Sequence, residues 1–261
     1  MEVQQCLDKM KKLHTLLLNY IENPQIDEHE FQNLIQIINE QNMMSSKIKI
    51  DIFIQLIISI SNNFHRTTGF FSKIERIILY YKENIKQNMT NDEIYEKSES
   101  NKRILLFFIK EKIISINEYN VDDFEMKKSF NSDSKNFFLP EINKTDYIFQ
   151  FSKSLSEYEK NRQIGENHSY ICSLIRNDSI IDFISYINKT DLQLTSQIPY
   201  SIFETNSFLN ENKPSLIEYA TFCGSIQIFQ YLINNKVKYD GKLWLYAIHS
   251  KNAEMINLLE S

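Results

Sequence analysis

The chain has 261 residues, a formal charge of −5, and 42% hydrophobic against 24% charged residues, a balance typical of globular proteins. Ile occurs 39 times and Asn 27 times against 3 Ala, 4 Gly and 4 Pro, and the four glycines (Gly69, Gly165, Gly224, Gly241) stand far apart. This excludes the clustered-glycine loops that bring backbone N–H groups onto phosphate, and neither residues 1–165 (net −2) nor residues 166–261 (net −3) carry the excess of basic residues that binds a nucleic-acid backbone.

Leu7, Met10, Leu13, Leu17, Tyr20 and Ile21 recur every three to four residues and predict a first helix that stops before Asn23 and Pro24. Asp27 is placed to cap a second helix with the face Phe31, Leu34, Ile35 and Ile38. The stretch 48–60 has two readings. Ile48, Ile50, Ile52, Ile54, Leu56, Ile58 and Ile60 alternate as in a strand, whereas Ile50, Phe53, Ile54 and Ile57 have helical spacing. A helix is expected, because a lone strand has no partner for its ladder hydrogen bonds. Phe70, Phe71, Ile74, Ile77, Ile78, Tyr81 and Ile85 form the next stripe, Thr90 and Glu93 have capping-box spacing, and 101–116 predicts a helix on Ile104, Leu105, Phe108, Ile109, Lys112 and Ile113. Residues 125–145, around Pro140, suit an irregular connection. A second polar stretch, 156–169, marks the expected boundary between a helical N-terminal region (1–165) and a second region (166–261).

The second region repeats itself. At an offset of 27, Ala220 falls on Ala247, Ile228 on Met255 and Leu232 on Leu259. At an offset of 48, Cys172 takes the Ala220 position, and Ile180, Ile181, Phe183 and Ile184 follow as Ile228, Phe229, Tyr231 and Leu232 do. Each unit reads as a short helix, a tight turn and a second helix, with units at about 169–213, 214–242 and 243–261. The expected fold is all-α, a helical region followed by a short stack of helix pairs. The insertion at 188–213 is expected to contain one short helix over Pro199 to Phe203.

Residues 213–237 resemble an ankyrin repeat: Ile217 stands where the motif's leucine follows proline, Ala220 is the small inter-helix residue, and Gly224 is the turn glycine. Ile226, Ile228, Phe229, Tyr231, Leu232 and Ile233 match the apolar second helix. The wider phrasing of about 160–261 is similar to a large family of divergent ankyrin-repeat proteins of protists, in which an Ile- and Asn-rich helical region of unknown function precedes the repeats. The resemblance implies a solenoid that binds another protein through its concave face. The 27-residue spacing leaves no room for a full projecting finger between Val237 and Lys242; Lys236 replaces the glycine that ends the second helix, and Glu218 replaces the histidine that ties neighbouring repeats.

Little in the chain points to catalysis. Cys6, Cys172 and Cys223 are widely separated, and His14, His29, His65, His168 and His249 never come at i, i+4. Asn33 stands where an H-E-x-x-H motif starting at His29 needs its second ligand. Cys223 and His249 fall in adjacent repeats and superficially match a thiol and its base, yet no orienting group or oxyanion donor can be named. Asp122 and Asp123 read as helix-start acids. No enzyme activity, cofactor or metal is expected.

The leading expectation is a protein-interaction module. The positions before each turn, Leu174 and Ile175, Phe222 and Cys223, His249 and Ser250, form one stripe. Phe222, Cys223, His249 and Ser250, with Tyr239 and Lys242 of the short turn, are the candidate protein-binding residues. The alternative for Leu174 and Phe222 is packing against the N-terminal helices. An enzyme with an unrecognised N-terminal site, and self-association through an uncapped C-terminal repeat, are the competing roles. The start of the chain has no signal-peptide pattern, and 48–60, with Lys49, Asp51 and Gln55, is short of the about 20 residues of a bilayer span. A cytoplasmic protein is expected, with nuclear residence left open and no membrane or nucleic acid as partner.

Overall fold

The computed structural model describes residues 2–23, 25, 27–64, 69–114, 132–142 and 145–260. The side chains of Cys6 and Leu7, His65, the Asp122 and Asp123 pair, and the first half of the expected 125–145 connection lie outside the described residues. Among the described residues the chain is all-α; its only ladder contact is an isolated antiparallel bridge between Gln197 and Ser215. Two compact units divide it, Met1–Asn143 and Lys144–Ser261.

The first unit holds α1 (Glu2–Glu22), α2 (Glu28–Glu40), α3 (Lys47–Phe64), α4 (Phe70–Tyr80), α5 (Lys82–Asn88), α6 (Asn91–Ser98), α7 (Lys102–Lys110) and α8 (Ser132–Phe137). The 48–60 stretch is helical, and Ile50, Phe53, Ile54 and Ile57 are all buried. Asp27 caps α2 by accepting the His29 N–H, and Thr90 and Glu93 form the capping box of α6. The 70–85 stripe is buried throughout but breaks at Tyr81 between α4 and α5. The 101–116 helix ends early, at Lys110, because Lys112 takes a left-handed φ of 55° and turns Ile113 into the core.

A lysine inside the α4 stripe is also buried. Lys73 Nζ donates to the Tyr20 carbonyl at 2.7 Å and to that of Asn23, satisfying carbonyls that the end of α1 leaves without intrahelical partners. Burial lowers the Lys73 pKa, with Glu30 opposing.

The second unit begins with a 3₁₀ turn (Thr145–Gln150) and α9 (Leu155–Ile164). The polar stretch 156–169, read from sequence as a boundary, is thus largely helical. Its helix packs with later parts of the second unit: the Tyr158 and Phe203 rings are 5.1 Å apart, and Thr205 donates to the Gly165 carbonyl from both its N–H (3.0 Å) and its hydroxyl (2.8 Å).

Beyond α9 the chain forms three antiparallel helix pairs: α10 (Tyr170–Arg176) with α11 (Ile180–Thr190), α13 (Leu216–Cys223) with α14 (Ile226–Asn234), and α15 (Leu243–Ser250) with α16 (Ala253–Glu260). The first helices pack side by side in the order α10, α13, α15, and α11 packs on α14. Ala220 and Ala247 are fully buried. Each pair turns through one left-handed residue, Asp178, Gly224 or Lys251, so the units are 46 and 27 residues apart. The first spacing corrects the offset of 48: Leu174, whose carbonyl accepts the Ser179 N–H, corresponds to Ala220, whose carbonyl accepts the Ser225 N–H.

The turns also tie unit to unit. The Asp178 carboxylate accepts the N–H groups of Gln227 and Ile228 at 3.0 Å each, capping α14 from the preceding pair. Ser225 Oγ donates to the Ile175 carbonyl at 2.5 Å, and Asn252 Nδ2 to the Gly224 carbonyl at 3.3 Å. Glu218 serves its own helix instead, accepting from the Ser215 N–H and hydroxyl at 2.7 Å each.

Between the first two pairs the insertion forms α12 (Ser207–Asn212), later than expected. Residues 199–203 are not helical; Ile202 and Phe203 are drawn into the core, and the Phe203 ring meets His168 at 4.8 Å.

Candidate functional site

The six residues singled out from the sequence separate into two groups. Phe222, Cys223, His249 and Ser250 occupy the C-terminal ends of α13 and α15, whereas Tyr239 and Lys242 precede the N-terminal end of α15. An eight-residue helix at 1.5 Å per residue puts about 12 Å between them.

Phe222 is only 3% exposed, which corrects its reading as an exposed aromatic. Its cover is Phe208 of α12: the two rings are 6.2 Å apart and 16° from parallel, and Phe208 also meets Tyr246 at 4.9 Å and His249 at 4.3 Å. Tyr219 lies nearly parallel to the Phe222 ring, at 6.5 Å. Phe222 is therefore a packing residue, and the insertion helix of its own unit is the surface it packs on.

His249 is half-buried between Phe208 and Phe222, and burial alone lowers its pKa. Cys223 is half-buried and exerts its electrostatic influence on Tyr219, Arg176 and Cys172. The Cys172 thiol is fully buried and pushed up to about 12, which keeps it protonated and unreactive. Ser250 serves the turn: its hydroxyl donates to the Ala247 carbonyl at 2.7 Å and accepts the Asn252 N–H at 3.1 Å.

The corrected register also changes the stripe in the first unit. The residues before its left-handed position are Arg176 and Asn177, and Leu174 and Ile175 are core. Arg176 pairs with Glu166 at 2.8 Å and donates to the Asn167 carbonyl at 2.7 Å and to the Tyr219 hydroxyl at 2.9 Å, so it braces α10 against α13.

Tyr239 and Lys242 are exposed as expected. Tyr239 lines a shallow cavity of about 340 Å³ with Ser215, Glu218, Lys238, Asp240 and Leu243, and the Lys242 N–H donates to Asp240 at 2.8 Å.

The residues that sequence reasoning missed are Trp244, Leu245 and Ile248, which are 38%, 52% and 64% exposed on α15. The signal was available, since the 27-residue offset places Trp244 on Ile217 and Ile248 on Thr221. Those counterparts are 2% and 0% exposed because α15 packs on α13. One unit later the same positions carry larger apolar side chains and face solvent.

Among the described residues, no group of three or more His, Cys, Asp or Glu is placed to hold a metal ion, and no helix is long and apolar enough to cross a membrane. Comparison with protein-family models, with curated proteins and with solved structures finds no match to this chain.

Proposed function

We propose that the chain is a protein-interaction module built on ankyrin-like helix pairs. Support for the ankyrin-like reading comes from the paired short helices, the left-handed turn residue in each unit and the buried alanines at equivalent positions. The turn-to-turn hydrogen bonds take over the role of the absent histidine tie. The contact surface lies on the third pair, on Trp244, Leu245 and Ile248, with Tyr239 and Lys242 at the edge. The carrying observation is the exposure of Trp244 and Ile248 at positions that the stack itself buries one unit earlier, with the exposed Leu245 beside them. An aromatic anchor beside aliphatic neighbours is the composition of an interface hot spot.

The test is quantitative affinity capture with wild-type protein, a Trp244→Ala, Ile248→Ala variant and a Phe222→Leu variant, all matched for helicity and unfolding midpoint. The expected result is loss of partners from the double variant and retention by Phe222→Leu. Equal recovery by all three removes the third pair as the interface, and turnover of a small metabolite with no partner recovered favours an enzyme instead.

A further inference from the structure

We propose that residues 201–209 form a strap that is held at each end by a histidine and released by acid.

Residues 201–206 are irregular yet buried at every position, whereas connecting segments ordinarily run over the surface. The middle of the strap is tied by groups of its own unit. Thr205 donates twice to the Gly165 carbonyl, and the Glu204 carboxylate accepts the N–H groups of Asn167 at 3.1 Å and Asn206 at 2.9 Å. Each end, by contrast, rests on an imidazole.

At the first end His168 Nδ1 lies 2.9 Å from Ser201 Oγ, and the His168 ring stands edge-on to Phe203. Ser201 Oγ also accepts the Phe203 N–H at 3.2 Å, which leaves its own proton to donate to Nδ1 of a neutral imidazole. An imidazolium carries a proton on both nitrogens and ends that arrangement. At the second end Phe208 lies 4.3 Å from His249, and Phe222 of α13 lies 5.6 Å from it. A charge there sits against apolar rings, and no carboxylate contributes to offset it.

Both rings are therefore held in the neutral form. Burial is the largest cause at His168, where Arg176 of α10 adds to it and Glu157 of α9 opposes; burial is the sole cause at His249. Lifting the strap removes cover from both rings, so the open form takes each proton near the ordinary value of about 6.5 and the closed form only at lower pH. Each protonation then favours opening. Because the two ends belong to one segment, opening is linked to both histidines. It uncovers the Phe222 and Tyr246 rings that Phe208 meets in the closed form.

The test is hydrogen exchange of the full chain at pH 7.5, 6.5 and 5.5, read by mass spectrometry on peptides from 201–209 and from α14 and corrected for the intrinsic exchange rate. This range stays above the ordinary carboxylate values. The expected result is that opening of 201–209 increases as the pH falls below about 6.5, while α14 is unchanged. One linked proton gives at most about tenfold per pH unit and two give up to about a hundredfold, so the wild-type rise exceeds tenfold per unit at its steepest. His168→Gln and His249→Phe each bring the rise down to tenfold or less, and the double variant removes it. Exchange of 201–209 that does not depend on pH overturns the proposal, as does acceleration of α14 in step with it; both are read on the wild type and need no variant to fold. A rise that stays as steep in either single variant overturns it as well.

Discussion

Phe208, in the insertion between the first two helix pairs, lies on Phe222 of the second pair with ring planes 16° apart, and it also reaches His249 of the third. One side chain thus links both downstream pairs through α12. Phe208→Ala removes this cover and should cost about 1–3 kcal/mol, the range for a half-buried aromatic. Urea unfolding measures the cost, and increased binding of an apolar dye reports the newly exposed Phe222.

Stability should fall on acidification, through the histidines of the second unit. Burial lowers the folded-state pKa of His249; for His168, burial is again the largest cause, Glu157 opposes and Arg176 adds to the lowering. A lowered folded pKa means that the unfolded chain takes up the proton first. The contribution is therefore complete above about pH 6.5 and is lost as the pH falls towards the lowered folded value. Unfolding midpoints at pH 7.5, 6.0 and 5.0 should decline for the wild type, and the decline should be shallower in His249→Phe. An unchanged slope in that variant would show that His249 does not contribute.

The turn residues make opposite predictions. Gly224 has a φ of 68°, and a Cβ there would sit 3.1 Å from Asn252 Nδ2, so Gly224→Ala should cost about 1–2 kcal/mol. Lys251 holds the equivalent left-handed position with a side chain, at a φ of 52°. Lys251→Gly relieves that conformation at some entropic cost and should raise stability by roughly 0.5 kcal/mol. Paired thermal melts check both signs.

Asp178 caps a helix in the neighbouring unit, so its removal should weaken the junction between the first two pairs. Asp178→Ala should cost about 1–2 kcal/mol, and Asp178→Asn, which keeps one acceptor oxygen, should cost less. Hydrogen exchange at the Gln227 and Ile228 amides reads the loss directly: exchange there should accelerate more than in the middle of α14.

The local features of this chain were decided by neighbours three and four residues apart. The stripe Ile50, Phe53, Ile54 and Ile57, the caps at Asp27 and Thr90, and the 27-residue offset that aligns Ala220 with Ala247 depend on helical spacing and on backbone groups within a turn of each residue. Sequence therefore sufficed for an all-α chain with repeated helix pairs in its second part. Where a left-handed position was held by Asp178 instead of glycine, the same reasoning slipped the first unit by two residues and put Leu174 and Ile175 where Arg176 and Asn177 stand.

Only the tertiary structure decided which side chains remain available. Phe222 looked free because nothing near it in sequence covers it, yet Phe208, fourteen positions upstream in an irregular insertion, folds back onto its ring. Trp244 and Ile248 hold the repeat positions of Ile217 and Thr221, which are core, yet they are exposed. Burial depends on what packs against a residue, and that is set by non-local contacts which a helical period does not encode. The repeat pattern identifies the position, and the next packed helix determines whether water reaches it.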